Sequence, residues 1–231
     1  MDTTRQLVLP FPCDVAFDAA DFVPAASNEA ARAWLERMPD WPDRRLAIWG
    51  APGCGKTHLL RIWSTQVGAA LYSGPALCGL PEISPSQGIA IDDADMVADD
   101  ATLLHWLNAA RESGVPVMLT CRVPPARFPV HLPDLVSRLR AMTAVAIDPP
   151  EDALLRALLA HLLSDRQWRL DVKFQDWLLP QLPRTPAALR EAVARLDHAV
   201  LAAGGRTTQR SMSDLLEALP GGKTEGAAED I

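Results

Sequence analysis

Short apolar runs alternate along the first part of this chain with segments in which apolar residues recur every three or four positions. The runs predict buried strands at residues 44–49, 69–72, 88–93, 115–121 and 143–147. The segments between them, including 56–67 and 99–113, have the spacing of one helical face. Strands that alternate with helices are typical of a parallel sheet covered on both faces. We therefore predict an α/β fold with a five-stranded parallel sheet.

The pattern changes after Pro149, where only helical periodicity continues. Helices are predicted at 151–163, at 174–178 up to a stop at Pro180 and Pro183, at 186–203 and at 211–219. The last residues are Gly, Ala and charged residues, a composition typical of disorder. The predicted parts are a terminal peptide at 1–12, an α/β domain at 13–148, a small helical domain at 149–219 and a disordered tail at 220–231.

Two segments precede the first predicted strand. Residues 6–11 read Gln-Leu-Val-Leu-Pro-Phe, which fits either an edge strand ended by Pro10 or an extended peptide that docks into pockets on a partner. The chemistry of the residues alone leaves these two alternatives open. The second segment is a predicted helix that starts at Ser27 or Asn28 as N-cap and runs to about Met38.

The composition is that of an ordinary soluble globular protein, with 48% hydrophobic and 22% charged residues among 231. The net charge of −7 argues against a protein that coats duplex DNA by bulk charge, although a local basic patch is compatible with it. No apolar run approaches the ~18 residues needed to span a bilayer, and the start lacks the features of a signal peptide. The four cysteines and five histidines have no metal-binding spacing. We expect a cytoplasmic protein with reduced thiols and no membrane partner.

The segment from Gly50 to Thr57 reads Gly-Ala-Pro-Gly-Cys-Gly-Lys-Thr and matches the phosphate-binding pattern G-x-x-x-x-G-K-[ST]. It lies between a predicted strand and a predicted helix, as such a loop requires. Glycines let successive N–H groups point at a phosphate, and the helix N-terminus adds its positive dipole end. Lys56 is expected to reach the β- and γ-phosphates of ATP or ADP, and the Thr57 hydroxyl to ligate Mg²⁺. The alternative is a glycine-rich turn without a ligand.

The predicted strand at 88–93 ends in Asp92 and Asp93, which is typical of a parallel strand next to a phosphate loop. Asp92 is expected to hold Mg²⁺ through water, and Asp93 to orient or polarise an attacking water. A capped strand end is the structural alternative. With the phosphate loop present, the nucleotide role is favoured.

These motifs resemble the AAA+ ATPases of the bacterial replication-initiator group and, within it, the Hda/HdaA family of regulatory inactivators. The resemblance covers residues 5–219. It is carried by an adenine-binding stretch at 17–28, Walker A at 50–58, Walker B at 91–93, a sensor 1 region at 119–125, an arginine-finger box at 132–139, a linker to the helical lid at 144–151 and a clamp-binding motif at 6–11. The Walker motifs occur in many nucleotide-binding proteins, whereas a clamp motif joined to an initiator-like core is specific to the Hda/HdaA family.

The resemblance implies an AAA+ sheet domain followed by an all-helical lid, and it assigns roles to individual residues. The implied nucleotide-binding residues are Phe22, Val23, Asn28, Pro52, Gly53, Cys54, Gly55, Lys56, Thr57 and His58. Thr57 and Asp92 would be the Mg²⁺ ligands, and Asp93 a catalytic residue. Arg138 would be an arginine finger acting in trans. The implied clamp contacts are Gln6, Leu7, Leu9, Pro10 and Phe11.

The implied function is a nucleotide-bound adaptor that binds the DNA polymerase sliding clamp and stimulates ATP hydrolysis by the replication initiator DnaA. This would prevent re-initiation, with DNA reached only through the clamp. Two alternatives remain open: a stand-alone ATPase or helicase-loader-like motor, and an initiator-like DNA-binding factor. The sequence leaves self-association and the choice between ADP and ATP undetermined.

Three departures from the family pattern bear on these expectations. The chain has no segment corresponding to the initiator's C-terminal helix-turn-helix domain, so we expect no origin recognition by that route. Arg122 stands where the family usually has an acidic residue. The lid position of the sensor 2 arginine aligns with Ala187, although Arg184 or Arg190 could substitute for it. The last two departures predict weak or absent hydrolysis by this chain itself.

Overall fold

The computed structural model describes residues 19–80, 88–166, 168 and 172–202. The proposed clamp peptide, the predicted helix at 211–219 and the predicted tail therefore lie outside the described residues. In the described part of the chain, no helix combines the length and the hydropathy needed to cross a membrane.

Five parallel strands form one sheet, as the alternating pattern predicted. They are β1 (Arg45–Trp49), β2 (Ala70–Ser73), β3 (Ile89–Asp92), β4 (Val117–Cys121) and β5 (Thr143–Ala146). Their order in the sheet is β2-β3-β4-β1-β5. β4 pairs with both β1 and β3 and separates them.

Helices connect these strands and then continue without them. They are α1 (Ala26–Glu36), α2 (Lys56–Val67), α3 (Asp100–Glu112), α4 (Pro133–Ala141), α5 (Asp152–Asp165), α6 (Val172–Gln181) and α7 (Pro186–Ala202). The bounds of α2 are those predicted, since Gly55 precedes it and Gly68 ends it in a left-handed conformation. α3 begins after Asp99, whose carboxylate accepts hydrogen bonds from the backbone N–H groups of Ala101 and Thr102.

The two faces of the sheet bury different helices because successive strand residues point to opposite sides. On one face, alternate strand residues such as Ala47 and Leu119 pack with Leu107 of α3. On the other face, Ile48 and its neighbours pack with helices α1 and α2, including the fully buried Trp63. The sheet is therefore a central layer, and its carboxyl edge is left free to present loops.

The helices after the sheet pack on one another in a separate apolar cluster. Its buried residues come from α5, α6 and α7, with Leu159, Leu178 and Val193 at its centre. Val23, from the segment that leads into α1, also packs against this cluster. That contact joins the predicted base-binding stretch to the helical part of the molecule.

Some local expectations are wrong. α1 begins at Ala26, after Ala25 as the N-cap, so neither Ser27 nor Asn28 caps it. Asn28 acts from inside the first turn instead, because its Oδ1 accepts the Ala25 N–H at 3.1 Å. Arg44 is not in β1, since its φ of +56° places it in a turn.

Pro180 also behaves differently from the prediction, because it lies inside α6 rather than ending it. In a last turn, proline removes only the hydrogen bond to the carbonyl four residues earlier. That residue is Asp176, whose side chain is half-exposed. The helix can therefore continue to Gln181.

Candidate functional site

The phosphate loop leaves the carboxyl end of β1 and enters α2, as its sequence predicted. Gly53 has a φ of +78°, a backbone conformation that residues with a Cβ rarely adopt. A Cβ at this position would also lie 3.0 Å from the Cβ of Ala187 on α7. Both the backbone conformation and the close approach of α7 therefore favour glycine at position 53.

Lys56 is the first residue of α2 and is only 6% exposed. Its ammonium group donates hydrogen bonds to the carbonyl oxygens of Gly50 and Ala51, both at 2.9 Å. These contacts hold the charge within the loop, at the N-terminus of a helix. Cys54 is also buried in the loop. Its burial raises the pKa of its thiol, and the positive charge of Lys56 partly opposes that effect.

Thr57 and Asp92 meet at the carboxyl edge of the sheet. The Thr57 hydroxyl donates to the Asp92 carboxylate, with oxygen–oxygen distances of 3.0 and 3.1 Å. α2 brings Thr57 to Asp92 although β4 separates β3 from β1. A hydroxyl and a carboxylate are the hard oxygen ligands that Mg²⁺ prefers, so these residues fit the predicted metal role.

Thr120, near the end of β4, belongs to the segment that resembles a sensor 1 region, although the sequence analysis gave it no individual role. Its hydroxyl donates to Asp92 and accepts the backbone N–H of Asp93 at 3.1 Å. It therefore ties the two acidic residues to the strand that separates them from β1. The contact with Asp92 could have been expected from a polar residue at the end of an otherwise apolar strand.

A cavity of about 290 Å³ opens beside the loop. It is lined by Pro52, Gly53, Gly55, Lys56, Thr57, His58, Asp93, Arg122 and Arg190. The structure thus brings Asp93 and most of the predicted loop residues to one recess. It also places Arg122, the residue that departs from the family pattern, in the same recess as Asp93.

The predicted base-binding stretch lies against the loop and the helical part together. The Phe22 ring meets the His58 ring edge to face, with centroids 5.1 Å apart. Val23 packs on the helical cluster. Asn28 is buried and donates from Nδ2 to the Val23 carbonyl at 3.1 Å. These contacts hold Phe22 and Val23 between the α/β part and the helices α5, α6 and α7.

Among the three positions considered for the lid arginine, only Arg190 reaches the cavity. Burial lowers the pKa of Arg190, and the charge of Asp21 opposes that effect. Arg184 is exposed and pairs with Asp152 on α5 instead. Ala187 lies close to Gly53 of the loop, and its short side chain is exposed.

Arg138 lies apart from these residues. It is on α4 and lines a second cavity together with Arg45, the first residue of β1. The phosphate loop follows the other end of the same strand, about 16 Å away for five residues in extended conformation. The structure therefore does not bring Arg138 to the chain's own phosphate loop.

No protein-family model matches the chain. A Haemophilus influenzae protein described as uncharacterized is 27% identical over 173 residues, which cover 68% of this chain and 74% of that protein. Domain III of the Thermotoga maritima replication initiation protein DnaA has a similar structure, with a TM-score of 0.73 and 20% identity. That match covers 90% of this chain and 98% of the domain.

Two longer proteins share the architecture. A DnaA structure bound to AMPPCP and single-stranded DNA matches with a TM-score of 0.61 and 14% identity, over 77% of this chain and 63% of the DnaA chain. The Thermotoga maritima RuvB Holliday junction branch migration motor matches with a TM-score of 0.60 and 17% identity, over 84% of this chain and 67% of RuvB. The chain has a DnaA-like AAA+ fold.

Proposed function

We propose that this chain is a cytoplasmic, nucleotide-bound AAA+ adaptor that binds the sliding clamp and stimulates ATP hydrolysis by DnaA. The observation that carries the proposal is the position of Arg138 in a DnaA-like fold. It is an arginine at the far end of the sheet from the chain's own phosphate loop. An arginine so placed is suited to act on a nucleotide held by a neighbouring molecule.

The chain would hold ADP or ATP in the cavity beside Lys56. The buried ammonium and the N-terminus of α2 supply positive charge for the phosphates. Thr57 and Asp92 would ligate Mg²⁺, which neutralises phosphate charge when bound. Phe22, Val23 and His58 would enclose the base, and Asn28 would hold the segment that carries Phe22 and Val23. Bound nucleotide would then link the α/β part to the helices.

The chain's own hydrolysis would be weak. Asp93 would need a free carboxylate to orient water, and Arg122 is in the same recess with the opposite charge. A guanidinium competes with water for the oxygens of a nearby carboxylate by charge-assisted hydrogen bonding. The nucleotide site would therefore stabilise a binding-competent conformation more than it would turn over ATP.

Arg138 would supply catalysis to the partner instead. A guanidinium inserted at the γ-phosphate of a partner's ATP stabilises the charge that develops in phosphoryl transfer, with a typical gain on the order of 10³–10⁵ in rate. The peptide at residues 6–11 would hold the chain on the clamp, so that this contact is made near replicating DNA.

The proposal is tested by measuring ATP hydrolysis by DnaA with and without this protein, in the presence and absence of DNA-loaded clamp. We expect stimulation only when both the protein and the loaded clamp are present. Substantial turnover by this protein alone would favour a stand-alone ATPase or helicase-loader-like motor. Tight, salt-sensitive binding to duplex DNA without clamp would favour an initiator-like DNA-binding factor.

A further inference from the structure

Three side chains that can ligate a metal ion converge where the segment before α1 meets α5. They are Asp21, at the end of a short 3-10 turn, and His161 and Asp165 of α5. One ligand atom of each lies within 4.8 Å of the other two. Among the described residues, no other three histidine, cysteine or carboxylate side chains are grouped in this way. The spacing of residues along the chain could not indicate this group, because Asp21 and His161 are 140 positions apart.

The fold brings these three side chains together through contacts made by other residues. His161 and Asp165 are four residues apart on one helix, so they lie on the same face of α5. Asp21 reaches them because Val23, two residues later, packs on the apolar cluster of the helices. The arrangement is therefore set by helix periodicity and by an apolar contact, and it exists without any ion to hold it.

The distances within the group suit ligands of one ion. Nε2 of His161 lies 3.3 Å from Oδ1 of Asp21 and 3.7 Å from Oδ2 of Asp165. A charge-assisted hydrogen bond between nitrogen and a carboxylate is shorter, at about 2.7–2.9 Å. Ligand atoms about 2.0–2.1 Å from a tetrahedral metal ion are roughly 3.3–3.4 Å from one another. One imidazole nitrogen thus faces both carboxylates at separations closer to a metal tetrahedron than to a strong hydrogen bond.

The charges of the group also favour a cation. Within the described residues, neither Asp21 nor Asp165 has an ion-pair partner within 4.0 Å other than His161. With a neutral imidazole the two carboxylates carry two negative charges at close range, and a divalent ion balances them. All three side chains are partly exposed, so an ion can reach them from solvent.

We propose that Asp21, His161 and Asp165 bind a divalent transition-metal ion, with Zn²⁺ as the best match. An imidazole and two carboxylates form a set that Zn²⁺ accepts, whereas Mg²⁺ and Ca²⁺ prefer oxygen ligands alone. Three protein ligands leave the fourth tetrahedral position to water. This site is separate from the Mg²⁺ ligands proposed at Thr57 and Asp92.

A metal at this site fastens the base-binding segment to the helical part of the chain. Asp21 directly precedes Phe22, whose ring meets His58 beside the phosphate loop. The ion holds Asp21 against α5, so the segment is already ordered when a nucleotide arrives. Metal and nucleotide therefore bind with positive cooperativity, since the cost of ordering the segment is met once. The metal site is independent of the proposed function, and only this cooperativity rests on the proposed nucleotide site.

Metal titration of the full chain tests the site. Co²⁺ is added in the presence of excess Mg²⁺, because its visible spectrum distinguishes nitrogen and oxygen ligands from thiolates, and Zn²⁺ affinity is then obtained by competition. His161→Gln keeps a hydrogen-bond donor for the carboxylates but lacks the imidazole. We expect it to weaken Zn²⁺ binding by roughly 100-fold or more, beyond the 10- to 100-fold typical of losing an outer-shell partner. His131→Ala, at an exposed position outside the group, should bind as the wild type does.

Equal Zn²⁺ affinity in His161→Gln and wild type, or a thiolate spectrum for bound Co²⁺, would overturn the site. Melting temperatures without metal show whether each variant folds. If His161→Gln does not fold, Asp165→Asn provides the same test at a more exposed side chain, again with an expected loss of Zn²⁺ affinity.

The cooperativity is tested by measuring ADP affinity with and without Zn²⁺, in wild type and in His161→Gln. We expect Zn²⁺ to tighten ADP binding by roughly fivefold or more in the wild type and to have no such effect in the variant. A Zn²⁺ effect of equal size in both would come from a zinc–nucleotide complex and would contradict the cooperativity. Zn²⁺ binding that depends on His161 in a protein that binds no ADP would overturn the proposed nucleotide site and leave the metal site standing.

Discussion

At the scale of single residues, the candidate site depends on Lys56. A buried ammonium is costly unless it is hydrogen-bonded, and here two loop carbonyls satisfy it. The chain uses arginine for almost all its other positive charge, and Lys56 is the first lysine in it. A compact ammonium fits the small space inside the loop, where a planar guanidinium would not.

Lys56→Ala is expected to abolish nucleotide binding. In the wild type, ADP at a hundredfold excess over its dissociation constant should add ~2.7 kcal/mol to the free energy of unfolding. That corresponds to a rise of roughly 5–10 °C in melting temperature for a chain of this size. Thermal denaturation with and without ADP measures the difference. An equal rise in wild type and variant would place the nucleotide elsewhere.

Arg190→Ala and Arg184→Ala form a matched pair on the helical part of the chain. We expect Arg190→Ala to weaken nucleotide binding by roughly 10- to 150-fold, since a charge-assisted contact contributes on the order of 1.5–3 kcal/mol. Arg184→Ala should leave affinity unchanged, because Arg184 is exposed and pairs with Asp152. Titration with a fluorescent ADP analogue measures both. The reverse order of effects would reassign the lid arginine to Arg184.

At the scale of elements, the sequence predicted what depends on local pattern. The bounds of α2 follow from its apolar spacing and flanking glycines, and the strands follow from short apolar runs between turns. The order of strands does not follow from such patterns, so the sequence analysis made no prediction of the position of β4 between β1 and β3. Likewise, Arg190 could not be chosen over Arg184, because only the packing of α7 on the loop decides which side chain reaches the cavity.

Asn28 joins the first turn of α1 to the preceding segment that carries Phe22 and Val23, so its substitution should affect both stability and nucleotide binding. Asn28→Ala removes the bonds to the Ala25 N–H and the Val23 carbonyl, which leaves partly buried polar groups unpaired at a cost of about 1 kcal/mol. We expect a lower melting temperature and weaker ADP binding, since Val23 and Phe22 lose their support. Glu36→Ala, at an exposed position of the same helix, is the control. Unchanged ADP affinity in Asn28→Ala would show that the segment with Phe22 and Val23 does not contribute to binding of the adenine base.

The terminal peptide is expected to act as an independent docking element. Gln6→Ala combined with Leu9→Ala should remove clamp binding, because these side chains are assigned to pockets on the partner. The melting temperature should change little. Titration of purified clamp and thermal denaturation are measured in parallel. Unchanged clamp affinity would exclude docking through this peptide, and a large loss of stability would support an edge strand instead.

At the scale of the whole molecule, the parallel sheet separates two positively charged recesses. The carboxyl edge carries the phosphate loop, and the amino edge carries Arg45, Arg111 and Arg138. In the proposed function, the first recess holds the chain's own nucleotide and the second faces the nucleotide of a neighbouring molecule. This polarity follows from the fold, because β1 starts at one recess and ends at the other.

The central claim is that Arg138 acts on the partner's nucleotide, and Arg138→Ala tests it most directly. The measurement is multiple-turnover ATP hydrolysis by DnaA with DNA-loaded clamp, with Arg140→Ala as the control on the same helix. Arg138→Ala should keep its nucleotide and its clamp binding yet lose stimulation by on the order of 10³, because the guanidinium acts on charge that develops in the transition state. Arg140→Ala should stimulate as the wild type does. Full stimulation by Arg138→Ala would contradict the account.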